Sequence, residues 1–292
     1  MEGISPELRE DFDRWKAQIG DDTYMGPKTV GILDVLRAHY LIIDFFSREY
    51  NEGVGGVGPK NLTMLHSTLS RQFTSYGKAV KWEDDVAICS TLFFGLVKNH
   101  AFHDVNKRTA LLTLFYHLVK IKRYPNAPHS EYEKLALHVA SNALGASYAR
   151  YEDFANEEDA EVRFISDFLR RNTRRIDKAE YFVTYQELDG LLQANHFRLG
   201  DPDSNQIGVL KLVDEPVGFF GSRTKPVWKR IGSIAFPGWH RQVKLSVIGK
   251  VRRMTHLTVE YGHDSESFFH GADSLPFLLH EFQGLLQRLA DK

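Results

Sequence analysis

His100-Ala101-Phe102-His103-Asp104-Val105-Asn106-Lys107-Arg108-Thr109 is a polar run set between the two most apolar stretches of the chain. Before it, Asp84 to Lys98 is dense in aliphatic and aromatic residues. After it, Lys107 to Lys122 carries Ala110, Leu111, Leu112, Leu114, Phe115, Tyr116, Leu118, Val119 and Ile121, apolar on nearly every side. A helix of that texture is predicted to lie at the centre of a bundle. A charged cluster in the turn between two such helices is a poor choice for packing alone, because each buried polar group needs a partner. Lys107 and Arg108 open the second helix, where the macrodipole is positive and a cation is mildly unfavourable unless an anion shares the place. The free N–H groups of that first turn, an ammonium and a guanidinium together make a cradle for polyphosphate. Asp104 supplies an oxygen ligand for Mg²⁺, and His100 a base for a hydroxyl proton near neutral pH. The outline is that of a phosphoryl or nucleotidyl transfer site.

Working outward, Ile32, Leu33, Leu36, Tyr40, Ile43 and Phe46 recur at three- to four-residue steps and predict a helix over Thr29 to Glu49. A loop with Gly53, Gly55, Gly56, Gly58 and Pro59 follows, and helical spacing returns from Asn61 to Gln72. Ser130 with Glu133 has the form of a capping box opening a helix to about Ala143, and another helix is expected from Glu157 to Arg171. Past the charged stretch Arg170 to Lys178 the texture changes. A short helix is expected to open at Glu180 to Tyr185, followed by strand-like runs at Ile207 to Val213 and Ile231 to Phe236. A helix over Leu245 to Met254, a strand over Leu257 to Tyr261 and a last helix from Ser274 to Leu289 complete the expectation. The fold class is therefore mainly α: an N-terminal extension over 1–27, a helical catalytic bundle over 28–174 and a smaller α+β accessory domain over 175–292.

Composition narrows the function classes. Of 292 residues, 42% are hydrophobic and 26% charged, which excludes a disordered or collagen-like chain. Lys and Arg number 37 against 38 Asp and Glu, so the whole molecule is no polycation, and any preference for polyanions must be local. The single cysteine, Cys89, cannot form an intrachain disulfide. No apolar run reaches the ~18 residues of a membrane span. The acidic N-terminal residues Glu2, Glu7, Glu10, Asp11 and Asp13 are unlike a secretion signal, and the expected location is cytoplasmic.

The pattern His-x-Phe-x-Asp-x-Asn-Lys-Arg-Thr-Ala-Leu, at His100, Phe102, Asp104, Asn106, Lys107, Arg108, Thr109, Ala110 and Leu111, resembles the signature of the Fic/Doc superfamily. Lys107 and Leu111 resemble the death-on-curing (Doc) branch; members that transfer AMP carry a glycine and a second arginine at these places. The resemblance implies an inverted ATP pose and phosphorylation of a protein hydroxyl by a toxin, with elongation factor Tu as the implied target and an antitoxin as a partner. It implies that His100 deprotonates the hydroxyl and Asp104 binds Mg²⁺. Asn106 and Thr109 then belong to the nucleotide site, Lys107 and Arg108 neutralise the transferring group, and Phe102 pins the loop. By position, the Gly53–Pro59 loop resembles the family's target-docking flap. Many Fic proteins are restrained by a glutamate in Ser/Thr-x-x-x-Glu-Gly/Asn that blocks the arginine at the place of Leu111. Here Ser47 precedes Glu52-Gly53 by one residue too many, and Leu111 offers such a glutamate no partner. His39, His66, His103 and His138 lack a supporting pattern and are expected on the surface or in packing. The alternatives are an AMP transferase and a catalytically silent bundle serving as a binding module.

In the second part, Tyr185 to Leu199 and Lys244 to Thr258 resemble the two helices of small HicA-type toxins, whose fold is like the double-stranded-RNA-binding domain. From Pro216 to Val259 there are nine Lys or Arg and no Asp or Glu, with Trp228, Phe236 and Trp239 interleaved. That stripe makes nucleic acid a candidate partner, with Lys250, Arg252 and Arg253 as the contact residues.

Overall fold

The computed structural model describes residues 4–53, 55–77, 79–175, 183–217, 223–257 and 275–290. The chain divides into two compact units, Met1–Ile176 with Glu281–Lys292, and Asp177–His280. The architecture is mainly α with a small α+β part.

The first unit is a helical bundle. Its helices are α1 (Pro6–Ile19), α2 (Ile32–Tyr50), α3 (Leu62–Ser70), α4 (Asp85–Asn99), α5 (Asn106–Lys120), α6 (His129–Ala140), α7 (Leu144–Ser147) and α8 (Ala160–Asn172). Two small antiparallel strand pairs, β1 (Ser75–Tyr76) with β2 (Ala79–Val80) and β3 (Arg123–Pro125) with the distant β4 (Thr173–Arg175), were not foreseen from the sequence, and neither was α1. Asp84 starts α4 by accepting the N–H groups of Val86 and Ala87, both at 3.1 Å. α4 packs on α3, α5, α6 and α8, while α5 packs on α2 and α6 as well. Every residue of α5 from Arg108 to Phe115 is buried. A run of more than two turns with no exposed face requires neighbours on all sides, as its all-round apolar texture predicts.

Two expectations need correction here. Ser130 does not cap α6: the helix starts at His129 behind Pro128, and no side chain caps it. Glu133 is instead buried and accepts from Nε of Arg288 at 2.6 Å, so a long-range ion pair replaces the local cap. The last helix is also broken, at Phe282, into α11 (Leu275–Glu281) and α12 (Gln283–Arg288). Phe282 stacks on Phe115 of α5 with centroids 4.0 Å apart, and α12 packs on α5 and α6. Residues 281–292 thus group with the bundle, whereas the sequence reading put all of 175–292 in the accessory domain.

The second unit has the order helix, three strands, helix. Thr184 caps α9 (Tyr185–Gln193) in a reciprocal box: its hydroxyl accepts the Glu187 N–H at 3.2 Å while Glu187 accepts the Thr184 N–H at 2.6 Å. Strands β5 (Phe197–Asp203), β6 (Gln206–Val217) and β7 (Arg223–Ala235) pair antiparallel in the order β5-β6-β7. α10 (Leu245–Thr255) follows. Phe197, Leu199, Ile207, Val209 and Ile234 share one core with Leu188 and Leu192 of α9 and Ile248 and Val251 of α10, so both helices cover the same sheet face. Part of the strand expected at Leu257 to Tyr261 and the start of the helix expected at Glu180 lie outside the described residues.

Candidate functional site

The turn between α4 and α5 is held by its own backbone and by the glycine loop. His100 ends α4 with φ 46° and Val105 precedes α5 with φ 49°, two left-handed residues that swing the chain out and back. For a β-branched valine that conformation is costly, so the surroundings must impose it. Asn106 does much of the imposing. Its Nδ2 donates to the Phe102 carbonyl at 2.9 Å and its Oδ1 accepts the Phe102 N–H at 3.0 Å. Phe102 is buried and stacks on the His39 ring, 4.1 Å away with planes 18° apart.

The loop over 53–59 is fastened across this turn. Lys60 N–H donates to the Ala101 carbonyl at 2.8 Å, and His103 N–H donates to the Gly58 carbonyl at 3.3 Å, a short bridge of β type at Pro59 and Phe102. Gly58 has φ 77°, and a Cβ there would lie 2.8 Å from Trp15 Nε1 and 2.9 Å from the Tyr40 hydroxyl, so only glycine fits. Its N–H donates to Nε2 of His39 at 3.1 Å. That bond fixes the ring's tautomer: Nε2 accepts, so Nδ1 carries the proton and donates to Thr109 Oγ1 at 3.2 Å. Burial pushes the His39 pKa down to about 3, which keeps the ring neutral and the arrangement intact. His39 therefore ties α2, the glycine loop and α5 together, a role its place in an apolar helix did not announce.

The charged groups are met by the same loop. Asp104 accepts the Gly55 N–H at 2.7 Å through Oδ2 and its neighbour Val105's N–H at 2.6 Å through Oδ1. Arg108 is 2% exposed, its guanidinium lies 4.4 Å from the Phe46 ring centroid, and Nη2 donates to Glu52 Oε1 at 2.7 Å. Its Nη1 is buried and has no hydrogen-bond partner among the described residues. The sequence reading gave Glu52 no partner; the structure supplies one in Arg108.

The other site residues separate into two groups. His100 is exposed and Lys107 half-buried at the mouth of the turn. Thr109, expected at the nucleotide, is fully buried with its hydroxyl on His39, so its side chain faces into the bundle. The Asn106 side chain is likewise committed to Phe102, leaving its backbone N–H at the open end of α5. Leu111 is fully buried. Among the remaining histidines, His66 Nδ1 lies 2.9 Å from the Tyr24 hydroxyl, and His138 packs against Tyr148. In the second unit, Lys250 donates to the Ser233 carbonyl at 2.9 Å and Arg252 to the Leu257 carbonyl at 2.8 Å, while Arg253 is exposed. The three do not present one row of cations.

The site suits an anion. Lys107 and Arg108, the latter with a buried nitrogen lacking a partner among the described residues, belong to the first turn of α5, where free N–H groups and the helix dipole favour an anion. Among the described residues no group of three or more His, Cys, Asp or Glu is placed to hold a metal. Asp104 accepts one backbone N–H on each carboxylate oxygen and keeps further lone pairs, a donor set compatible with Mg²⁺ that phosphates and water complete. No described helix is long and apolar enough to cross a membrane.

No curated protein and no solved structure matches the chain. The model of the Fic/DOC family matches residues 31–118. That segment runs from the residue before α2 to the last turn of α5, and it contains His39, the glycine loop with Glu52, and the whole turn from His100 to Arg108. The residues that build this site lie inside the segment that is similar to the Fic/DOC family.

Proposed function

We propose that the chain is a Fic/Doc-type phosphotransferase that moves the γ-phosphoryl group of ATP to a hydroxyl of a target protein. The observation that carries the reading is Arg108: a buried guanidinium at the first turn of a helix, with one nitrogen lacking a partner, is expensive unless an anionic substrate completes it. Leu111 stands where AMP-transferring members of the family that the motif resembles carry a second arginine, and that difference supports γ-phosphoryl over AMP transfer.

His100, exposed at the end of α4, takes the proton of the attacking hydroxyl. As the hydroxyl oxygen bonds to the γ-phosphorus, the bond from that phosphorus to the β–γ bridging oxygen breaks and ADP leaves. Lys107, Arg108 and the first-turn N–H groups of α5 meet the charge that spreads over the transferring oxygens. Asp104 would hold Mg²⁺, which neutralises the phosphates when bound. Growth arrest through a translation factor such as elongation factor Tu, relieved by an antitoxin, is the biological setting this reading proposes.

The test is isotopic. With ATP labelled in turn at the γ- and α-phosphates, the γ label should appear on a protein of a cell extract and the α label should not. Transfer of the α label would establish AMP transfer instead. Labelling of neither, with no growth arrest on expression, would leave a silent binding bundle.

A further inference from the structure

The helices α9 and α10 cover one face of the three-stranded sheet, and the opposite face carries a different set of side chains. Arg198 is paired in register with Leu210, Leu210 with Arg230, and Leu212 with Trp228. These five alternate with the core residues Leu199, Val209 and Phe197, so they share the face away from the helices. Two glycines leave room there: a Cβ on Gly208 would lie 3.2 Å from Arg230 Nε, and one on Gly200 3.3 Å from Leu210 Cδ1.

At one end of this face is a cleft of about 290 Å³ lined by Gln193, His196, Arg198, Leu212 and Trp228. Its chemistry is one-sided. The Arg198 guanidinium lies 4.6 Å from the Trp228 ring centroid, its Nε is buried without a hydrogen-bond partner, and no carboxylate pairs with it among the described residues. No acidic residue lines the cleft, and Asp214 is the acidic residue farther along this face of β6. Trp228 is partly exposed here and takes no part in the hydrophobic core on the helix side. A cation stacked on an indole, with an aliphatic floor and a neutral rim, suits a ligand that is both planar and anionic.

We propose that this sheet face binds single-stranded nucleic acid, with phosphates at Arg198 and Arg230 and a base packed on the Trp228–Arg198 stack above Leu212. Charge complementarity supports that occupant, since this face carries the cations of Arg198 and Arg230, with Asp214 the acidic residue farther along. A duplex keeps its base faces stacked internally and cannot offer one to Trp228. The surface differs from the α10 residues singled out by charge alone, because α10 covers the opposite face of the sheet. The proposal is independent of the transfer reaction.

Fluorescence anisotropy of the full chain with a labelled oligouridylate tests it over a series of salt concentrations. The parent should bind, with an affinity that falls as salt rises. Arg198→Met should flatten that dependence by about 0.7 log units per tenfold change in salt, one phosphate contact's worth. Trp228→Leu should weaken binding about 5- to 100-fold, the worth of one stacked base, and Trp228→Tyr should restore most of it. Arg253→Ala should change little. The proposal is overturned if the parent shows no salt-dependent binding, or if duplex RNA or polyglutamate binds as well as the single strand. It is overturned equally if Arg198→Met and Trp228→Leu both bind like the parent.

Discussion

Glu52 and Arg108, 56 positions apart in the chain, meet at 2.7 Å across the motif turn, and through them the glycine loop occupies the cation to which the proposed reaction assigns a phosphate. The pair is asymmetric. The Arg108 side chain is 2% exposed and the Glu52 side chain 29%, so the carboxylate can leave toward water while the guanidinium cannot. With Gly55 on Asp104 and Gly58 on His39, the same loop touches three of the groups that define the turn.

Glu52→Gln should therefore raise nucleotide affinity and phosphoryl transfer, since a neutral amide competes less well with phosphate for Arg108. Stability should move the other way, by about 1–3 kcal/mol: the buried cation loses its counter-charge, though the exposure of Glu52 moderates the cost. Paired measurements of ATP binding and the thermal midpoint check both signs. Unchanged affinity with a lower midpoint would make the pair purely structural.

His100→Ala and Asp104→Ala separate the base from the metal ligand. Loss of His100 should cut transfer by ~10²–10⁴ and leave ATP binding near the parent value, because a general base acts in the transition state. Loss of Asp104 should weaken nucleotide binding and its Mg²⁺ dependence together. Growth arrest by both variants at the parent's level would remove toxicity from this site.

Acid should loosen the bundle before its carboxylates titrate. Burial holds His39 at about 3 and His117 at about 4, both below the unfolded value near 6.5. A lowered histidine pKa stabilises fully above the unfolded value, and that contribution is lost as pH falls through it toward the folded pKa. Each ring should thus cost about 1.4 kcal/mol per pH unit between roughly pH 6.5 and 5. Denaturant midpoints across that interval report the slope, which should be shallower in His117→Gln. A flat profile would place protons on these rings in the folded protein.

Truncation after His280 should unfold the bundle rather than trim a tail. It removes Phe282, Leu285, Leu286 and Leu289, each at most 2% exposed, and strips Phe115 of its stacking partner. Losses of a few kcal/mol per large buried side chain exceed the stability of an ordinary domain when four go at once. Circular dichroism of the truncated chain checks this, and a native melting transition would refute it.

What the sequence made legible was local. The apolar density of α4 and α5 and the spacing of the motif placed the turn between two buried helices, because periodicity and burial are written into neighbouring positions. The contacts that the loop makes with Arg108 and His39 were not readable. Nothing near Glu52 signals Arg108, and His39 sits in a helix so apolar that a histidine there looks like packing. Glu133 misled for the same reason: its local spacing from Ser130 suggests a cap, while its distant partner Arg288 decides its place. Thr109 shares the motif's pattern but faces His39, since consecutive residues of a helix point in different directions.

The return of residues 281–292 to the bundle sets an order of synthesis. A ribosome has made the whole motif by Leu111, yet Phe115 waits for Phe282 until every residue of the intervening unit has been added. Domains generally fold as they emerge, the earlier before the later. Here the earlier unit cannot close its core until the later one has passed, so a nascent chain paused before residue 281 should leave the bundle open to protease. Whatever the site does to other proteins, it acquires its finished scaffold only after the second unit has been translated.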